Sequence, residues 1–173
     1  PLITKRPFRQ IHHTVSTVGI TGGGRIPKPG EISLAHRGVL FLDELPEFKR
    51  DALETLRQPI EDGNITITRV SGTLNYPCSV MIVASLNPCP CGYHSSHLKE
   101  CTCSPNQIKN YMKKISGPLL DRIDIQISVP SVKYEDISGE KSSMTSEIMR
   151  ERVKVAREIQ KERYKGLDFL TNK

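Results

Sequence analysis

Apolar residues along the chain fall into two short continuous runs, and each run ends at polar side chains. The first run, Val39–Leu42, is followed directly by Asp43 and Glu44, and the second, residues 80–86, is followed by Asn87. A continuous apolar run of this length is typical of a parallel strand that is covered on both faces. We therefore predict a fully buried strand and a neighbouring strand whose polar residues emerge at the carboxyl edge of the sheet, where open α/β sheets bind their ligands.

The rest of the pattern predicts short elements around these two strands. Alternating apolar residues indicate strands, whereas a stripe such as Leu53, Leu56 and Ile60 indicates a helix. In chain order we predict a strand at 7–13, a loop at 14–30, a short helix at 30–36 closed by Gly38, a helix from Pro46 to Gly63, a hairpin at 65–76, a strand at 123–129 and an amphipathic helix at 143–165.

These elements group into an α/β core and a second, helical part. Residues 1–130 contain all the predicted strands, and residues 143–173 contain the amphipathic helix. Residues 131–142, rich in Ser, Gly and charged side chains, have the composition of a mobile linker. We predict a core at 1–130, a linker at 131–142 and the start of a helical lid at 143–173.

Charge and hydropathy narrow the class of protein. The chain of 173 residues carries a formal net charge of +6, and its isoelectric point is about 9.1. Residues 1–37 are predominantly basic, whereas residues 38–62 around the acidic residues are predominantly acidic. Basic flanks suit polyphosphate or nucleic acid, but they also occur in proteins with neither partner. No apolar run approaches the ~18 residues of a membrane span and no signal-peptide pattern opens the chain, so we expect a cytoplasmic protein with no membrane contact.

Two carboxylates and an amide stand where a nucleotide-hydrolysing site needs them. As a Walker B motif, Asp43 would hold Mg²⁺ and Glu44 would orient and polarise the attacking water. Asn87 could donate a hydrogen bond to the γ-phosphate or to that water without adding charge. The ordinary alternatives are a structural buried strand for the first run and a turn-forming Asn before Pro88 for the second.

Arg122 lies immediately before the predicted strand at 123–129. An arginine there could reach a phosphate bound by a neighbouring subunit, and a planar guanidinium supplied in this way stabilises the charge on a transferring phosphoryl group. The structural alternative is an ion pair with Asp121 or Asp124 inside one chain.

The cysteines are concentrated in one predicted loop. Four of the five form two Cys-x-Cys pairs separated by nine residues, namely Cys89, Cys91, Cys101 and Cys103. Four thiolates can bind Zn²⁺ tetrahedrally, although Cys-x₂-Cys is the commoner spacing. Zinc and a reduced thiol cluster are equally compatible with the pattern, and disulfides are a third alternative. His94 and His97 between the pairs are expected to face solvent, and Cys78 is expected to be a buried apolar filler.

The motifs taken together resemble a known family. The residues that carry the resemblance are 6–9 with His12, His13 and Thr14, then 22–24, 27–36, 39–48, 87–92 and 116–124. On these residues the chain resembles the magnesium-chelatase-like AAA+ ATPases, and among them the bacterial competence proteins. The roles of His12 and His13 stay open, because neither has a partner that the sequence identifies.

The resemblance implies a fold and an activity. The fold would be a P-loop NTPase (AAA+) with a parallel sheet and flanking helices, and the cofactors would be ATP and Mg²⁺. Asp43 and Glu44 would be Walker B, Asn87 sensor 1, and Arg122 the finger that acts on the next subunit of a ring, expected to be a hexamer. The substrate would be DNA in transformation or recombination, with the hairpin that carries Arg69 facing it.

One departure from the family pattern limits the expected activity. No Gly-x-x-x-x-Gly-Lys-Ser/Thr occurs, and the glycines at 22–24 are not followed by a lysine that opens a helix. We therefore expect an internal part of a longer protein, incomplete at its N-terminus and inactive alone. The alternatives are the ATPase subunit of magnesium chelatase itself and, in another class, a non-catalytic zinc-dependent nucleic-acid-binding module.

Overall fold

The structure, a computed structural model, describes residues 5–69, 72–132 and 144–165. Its contacts divide the chain into two units, residues 1–128 and 129–173. In chain order the elements are β1 (Phe8–Ile11), α1 (Thr17–Thr21), β2 (Gly22–Gly23), β3 (Lys28–Pro29), α2 (Glu31–Leu34), β4 (Val39–Leu42), a 3-10 turn (Leu45–Glu47), α3 (Arg50–Glu54), α4 (Arg57–Asp62), β5 (Asn64–Arg69), β6 (Gly72–Pro77), β7 (Met81–Ala84), α5 (Pro105–Met112), α6 (Gly117–Leu120) and α7 (Ser146–Arg163).

The first unit is built on a three-stranded parallel sheet. Its strands lie in the order β1-β4-β7, so the two apolar runs are neighbours and β4 is central. In this register Leu42 lies between Ile11 and Ala84 at the carboxyl end. The predicted α/β class, with a parallel sheet flanked by helices, is confirmed, as are the strands predicted at 7–13, at 39–42 and in the second run.

One face of this sheet carries the core. Leu40 and Leu42 are buried there against side chains from the helices and turns, among them Ile20, Ile32, Leu45, Leu53, Leu56 and Leu119. On the opposite face Phe8 and Met81 are 64% and 54% exposed. The prediction that β4 is buried on both faces is therefore wrong for the described chain, because successive side chains of a strand point to opposite faces and only one face is covered here.

The helix predicted from Pro46 to Gly63 is broken into three pieces. A 3-10 turn, α3 and α4 replace it, and the break between α3 and α4 falls at Thr55 and Leu56. Pro59 lies in α4 and lacks the N–H that would bond to the carbonyl of Thr55, which accounts for the break. The stop at Gly63 is confirmed, since Gly63 adopts the left-handed conformation with φ 65°.

The short helix predicted at 30–36 ends differently from the prediction. The left-handed residue after α2 is Arg37, with φ 61°, and not Gly38. Gly38 is required for space instead, since a Cβ there would lie 1.9 Å from the carbonyl oxygen of Pro7. This close approach lets Val39 donate its N–H to the same oxygen and extend the β1-β4 ladder.

The segment predicted as a loop at 14–30 contains regular structure. Ser16 caps α1, because its hydroxyl accepts a hydrogen bond from the N–H of Gly19. Gly22 and Gly23 then pair with Lys28 and Pro29 in the small antiparallel β2-β3 hairpin. The hairpin predicted at 65–76 is confirmed as β5-β6, whose tip residues lie outside the described part of the chain.

The strand predicted at 123–129 does not form. Three of its four alternating apolar side chains are highly exposed, namely Ile125 at 79%, Ile127 at 80% and Val129 at 76%. A strand needs a neighbour to receive its backbone hydrogen bonds, and neither β1 nor β7 pairs with this segment in the described sheet. The prediction is therefore wrong for the described residues, which supply no partner for this alternating segment.

In the second unit, the amphipathic helix predicted at 143–165 is confirmed as α7. Thr145 caps it by accepting the N–H of Ile148, and ion pairs such as Lys154 with Glu151 line its surface. Residues 133–143, which include most of the linker predicted at 131–142, lie outside the described residues. Among the described residues, no helix combines the length and apolarity needed to cross a membrane.

Candidate functional site

Asp43 and Glu44, called here the acidic pair, lie at the carboxyl end of the central strand. Glu44 adopts the left-handed conformation, with φ 55° and ψ 51°, and caps the 3-10 turn that follows. Residues other than glycine, asparagine and aspartate rarely adopt this backbone conformation, and those that do are often found at functional sites. The next residue, Leu45, is anchored by donating its N–H to the carbonyl of Ser85 at 2.9 Å.

Ser85 holds the acidic pair from the neighbouring strand. Its hydroxyl donates a hydrogen bond to Oδ1 of Asp43, and the N–H of Glu44 lies 3.2 Å from the Ser85 Oγ and 3.1 Å from the Asp43 Oδ1. The backbone of Ser85 continues the ladder by donating to the carbonyl of Leu42 at 3.0 Å. Sequence analysis missed this residue. The available signal was a hydroxyl at the end of the second apolar run.

His13, for which the sequence identified no partner, also lies beside the acidic pair. Its Nδ1 lies 3.6 Å from Oε2 of Glu44, and its ring packs on His12 with 4.0 Å between centroids. The imidazole also meets the edge of Phe48. Parallel pairing of β1 with β4 explains the contact, because the chain that leaves β1 arrives beside the chain that leaves β4. His13 is thus a third side chain at the acidic pair.

Asn87 lies beyond the carboxyl end of β7 and is exposed. Tyr111 on α5 is buried near it. Burial raises the pKa of Tyr111, the carboxylates of Glu47 and Glu44 raise it further, and a backbone hydrogen bond with Asn87 lowers it in part. A thiolate at Cys89 acts in the same direction as the carboxylates. Tyr111 is therefore near enough to Glu44, Glu47 and Cys89 for their charges to act on its hydroxyl.

The donors around the acidic pair suit a hard divalent cation. Both carboxylates are exposed, and the side chain of Glu44 retains 54% of its accessible surface. Carboxylate and hydroxyl oxygens are the ligands that Mg²⁺ prefers, and Mg²⁺ is commonly bound through one or two carboxylates together with water and substrate phosphates. The arrangement of Asp43, Glu44 and Ser85 fits that role, since it offers oxygens in a fixed position and leaves room for other ligands.

Arg122 has a partner that the sequence did not identify. Its Nη2 forms an ion pair with Oε1 of Glu61, and its Nη1 donates to the carbonyl of Pro118. Neither Asp121 nor Asp124, the partners considered from sequence, takes this place. The Arg122 side chain is only 23% exposed, and its partners belong to α4 and α6.

The four cysteines named from sequence come together in the loop between β7 and α5. We call Cys89, Cys91, Cys101 and Cys103 the four-cysteine cluster. All four Sγ atoms lie within 4.8 Å of one another, and the measured Sγ distances are 3.3 Å for Cys89 to Cys91, 3.6 Å for Cys91 to Cys101 and 3.8 Å for Cys89 to Cys101. His94 and His97 are not part of the group.

The thiols of the cluster differ in acidity. The backbone N–H of Tyr93 stabilises the Cys91 thiolate and, with other donors, lowers the pKa of Cys91 to about 5. The backbone of Cys91 lowers the pKa of Cys103, but desolvation and the neighbouring thiols outweigh it and raise that pKa to about 12. Cys78 is a separate, buried thiol whose pKa burial raises to about 11. Its predicted place as a buried filler is confirmed.

Comparison with protein families gives one match that covers most of the chain. The family described as magnesium chelatase, subunit ChlI, matches residues 1–137. The matched region contains both apolar runs, the acidic pair, the four-cysteine cluster and Arg122.

Curated relatives are similar over nearly the whole chain. The competence protein ComM of Haemophilus influenzae is 46% identical over 161 residues, which cover 92% of this chain and 31% of that protein. The uncharacterized protein YifB of Escherichia coli is 44% identical over 168 residues, covering 95% of this chain and 32% of that protein. The chain thus spans about a third of the length of these relatives.

Among solved structures, the crystal structure of NtrX from Brucella abortus in complex with ADP is similar with a TM-score of 0.46 and 20% identity. The likeness covers 72% of this chain and 25% of that one.

Proposed function

Because this chain belongs to the family of the magnesium chelatase subunit ChlI, we propose that it is part of an AAA+ ATPase and carries the Walker B, sensor 1 and arginine-finger residues of that enzyme. The parallel sheet and its flanking helices fit this fold. ATP and Mg²⁺ are the proposed cofactors, and the protein is proposed to act in the cytoplasm. We propose that the phosphate-binding Walker A motif lies outside this chain.

The observation that carries the proposal is the hydrogen-bonded arrangement of Asp43, Glu44 and Ser85 at the carboxyl end of the sheet. Ser85 holds one oxygen of Asp43, while the left-handed turn at Glu44 directs the chain away from the strand directly after the carboxylates. Fixed carboxylates beside a sheet edge are what a phosphoryl-transfer site requires, because its catalysis rests on positioning and electrostatics.

Each residue has a distinct proposed role. Bound Mg²⁺ would neutralise the negative charge of the transferring phosphoryl group. Asp43 binds that cation, and Glu44 polarises and orients the attacking water. Nδ1 of His13 lies 3.6 Å from Oε2 of Glu44 and is proposed to help orient that carboxylate. Asn87 donates a hydrogen bond at the γ-phosphate without adding charge.

Arg122 is proposed to act on the nucleotide of a neighbouring subunit in a ring, which we expect to be a hexamer. In the described chain it is paired with Glu61. The proposed contact therefore requires Arg122 to exchange Glu61 for a phosphate of the neighbouring subunit. Such an exchange is favourable in principle, because a polyphosphate carries more negative charge than one carboxylate.

DNA is the proposed substrate of the motor. Support comes from the basic N-terminal region and the net charge of +6, from the exposed Arg69 at the end of β5, and from the similarity to a protein named for competence. Phosphate contacts by Lys and Arg make such binding dependent on salt rather than on sequence.

The decisive experiment compares Glu44→Gln with the wild type in the full-length protein. The variant removes the water-polarising carboxylate but leaves Asp43 and Ser85 in place, so Mg-ATP binding should persist while turnover falls by on the order of 10²–10⁴-fold. Turnover is measured as phosphate release, and nucleotide affinity by equilibrium binding.

A matched control is Glu47→Gln, three residues along the same turn. Glu47 pairs with Lys114 at 3.4 Å on an exposed surface, so its loss should change turnover by no more than about fivefold. If Glu44→Gln hydrolysed ATP like the wild type, or if both variants lost activity equally, the proposed role of the acidic pair would be wrong. DNA binding that is insensitive to salt would contradict the proposed substrate.

A further inference from the structure

We propose that the four-cysteine cluster is a structural zinc site in which Cys89, Cys91, Cys101 and Cys103 bind one Zn²⁺ as a closed tetrathiolate. The proposal rests on the convergence of two Cys-x-Cys pairs from the two ends of one loop. Cys89 and Cys101 are separated by twelve positions, yet their Sγ atoms lie 3.8 Å apart. A loop of this length pays conformational entropy to bring its ends together, so the convergence needs a stabilising interaction.

The sulfur distances are those of a tetrahedral zinc site. Zn–S bonds of about 2.3 Å at the corners of a tetrahedron place neighbouring sulfurs about 3.8 Å apart. The Sγ distances among Cys89, Cys91 and Cys101 are 3.3, 3.6 and 3.8 Å, so two are slightly shorter than this value and one equals it. All four Sγ atoms, including that of Cys103, lie within 4.8 Å of one another. A cation at their centre would be within reach of every thiol after shifts of at most about 1 Å, the difference between the 4.8 Å limit and the tetrahedral spacing.

Disulfides do not explain the arrangement. A disulfide requires an S–S distance of about 2.05 Å, and the cysteines of the cluster are free. A reduced thiol cluster without a metal leaves the convergence of the four Sγ atoms to within 4.8 Å of one another without a cause, whereas a divalent cation at their centre would hold all four together.

Backbone geometry around the cluster supports thiolate ligands. The N–H of His94 points to the Sγ of Cys89 at 3.4 Å, and Gly92, with φ 81°, turns the chain after Cys91 and donates its N–H to the carbonyl of Cys89 at 3.0 Å. Backbone donors directed at sulfur orient metal-bound thiolates and offset their charge.

The ligand set distinguishes zinc from harder cations and a structural site from a catalytic one. Soft thiolates select zinc over magnesium or calcium. Four protein ligands fill the tetrahedral shell, so no position remains for water or substrate, and structural zinc sites have this closed form. Cys89 is fully buried, which agrees with a site closed to solvent.

The location gives the site a mechanical role. Cys89 follows Asn87 by two residues, and Cys103 directly precedes Ser104, the residue that caps α5. The capping box of Ser104 and Gln107 then continues into the helix that carries Tyr111. A zinc ion would therefore join the end of β7 to the start of α5 and limit the freedom of the loop between them.

The test measures metal content in the full-length protein purified under reducing conditions. Elemental analysis should give about one zinc per chain. Cys101→Ser and Cys103→Ser should lower the zinc content at least about tenfold. The matched control is Cys78→Ala, which removes the fifth cysteine, a buried thiol outside the cluster, and should retain the zinc.

A second measurement keeps the test independent of variant folding. When wild-type protein is stripped of metal and loaded with Co²⁺, the product should show the intense visible absorption of tetrahedral thiolate-bound cobalt. Thiol titration should show four thiols protected in the zinc form and reactive after the metal is chelated.

Three outcomes would overturn the proposal. The first is folded wild-type protein that contains no metal and has four freely reactive cluster thiols. The second is a disulfide within the cluster under reducing conditions, and the third is iron in place of zinc. Loss of zinc from Cys78→Ala to the same extent as from Cys101→Ser would also contradict the assignment. None of these outcomes depends on ATP turnover, so the zinc site and the proposed ATPase activity are tested separately.

Discussion

The short segment from Ser85 to Cys89 links the acidic pair to the four-cysteine cluster. The two groups differ in how complete their sets of metal ligands are. Ser85 at the end of β7 holds Asp43, and four residues later Cys89 enters the cluster. The acidic pair offers two carboxylates that are exposed to solvent. The cluster offers four soft ligands that converge on one point, and its first cysteine is buried.

The acidic pair therefore has the features of a catalytic metal site, and the cluster has those of a structural metal site. A metal held by few protein ligands can also bind substrate phosphates and water, and it exchanges readily. A metal held by four thiolates has no vacant position and contributes its binding energy to the fold. The two proposals together assign opposite metal chemistry to neighbouring parts of one chain, because one segment supplies hard oxygens at an open edge and the other supplies sulfurs in a closed loop.

The largest expected contrast comes from removing metals with EDTA. Full-length protein that is briefly treated and desalted should lose ATP turnover completely and regain it at once when Mg²⁺ is added, because the proposed Mg²⁺ site has few protein ligands and should exchange its cation readily. Its zinc content should stay near one per chain, since a closed thiolate site exchanges slowly. Phosphate release and elemental analysis on the same sample measure both. Equal loss of zinc and ATP turnover, with no recovery on adding Mg²⁺, would contradict the proposed difference between the two metal sites.

The next largest effect is expected at Arg122, which tests whether the open site is completed by a neighbouring subunit. Loss of an arginine finger lowers the rate on the order of 10³-fold or more. If Arg122 acts in this way, inactive Glu44→Gln and Arg122→Ala proteins should recover some turnover when mixed, since certain interfaces then combine an intact Glu44 with an intact Arg122.

The structure supplies a control for this experiment in Glu61, the observed partner of Arg122. Glu61→Gln weakens the pair but leaves the guanidinium free, so it should retain turnover within about fivefold of the wild type. A purely structural Arg122 predicts the opposite: Glu61→Gln and Arg122→Ala would lose thermal stability and activity alike, and mixed rings shown to contain both subunits would recover nothing.

A smaller effect is expected at Ser85, which positions Asp43 without being an expected metal ligand. Ser85→Ala removes the hydroxyl that donates to Asp43, and the loss of such a supporting hydrogen bond weakens metal affinity or activity about 10- to 100-fold. The Mg²⁺ dependence of turnover should shift accordingly, with little change at saturating Mg²⁺. Ser79→Ala, at the opposite end of the same strand and exposed, should leave that dependence unchanged. An identical shift in both variants would exclude a specific role for Ser85.

Part of the site was predictable because it follows from local pattern. Two apolar runs that each end at polar residues are enough to predict two parallel strands, and the ends of parallel strands meet at one edge. That logic correctly placed Asp43 at the end of β4, with β7 beside it. The spacing of the cysteines similarly predicted a cluster, although it left zinc, reduced thiols and disulfides open.

Other parts were not predictable, because they depend on contacts between residues far apart in the chain. The bond from Ser85 to Asp43 spans 42 positions, and the pair of Arg122 with Glu61 spans 61. No periodicity encodes such partners. The strand predicted at 123–129 failed for a related reason, since alternation shows a capacity for pairing but does not supply the neighbouring strand.

The sequence by itself therefore determined the elements and the chemistry they carry: the parallel strands, the acidic pair at a strand end and four thiols in one loop. Only the tertiary structure decided which side chains meet, including Ser85 and His13 at the acidic pair and the convergence of four sulfurs to within 4.8 Å. The physical reason is that strand and helix signals arise from neighbouring residues, whereas hydrogen bonds and metal geometry between distant residues depend on how the elements pack.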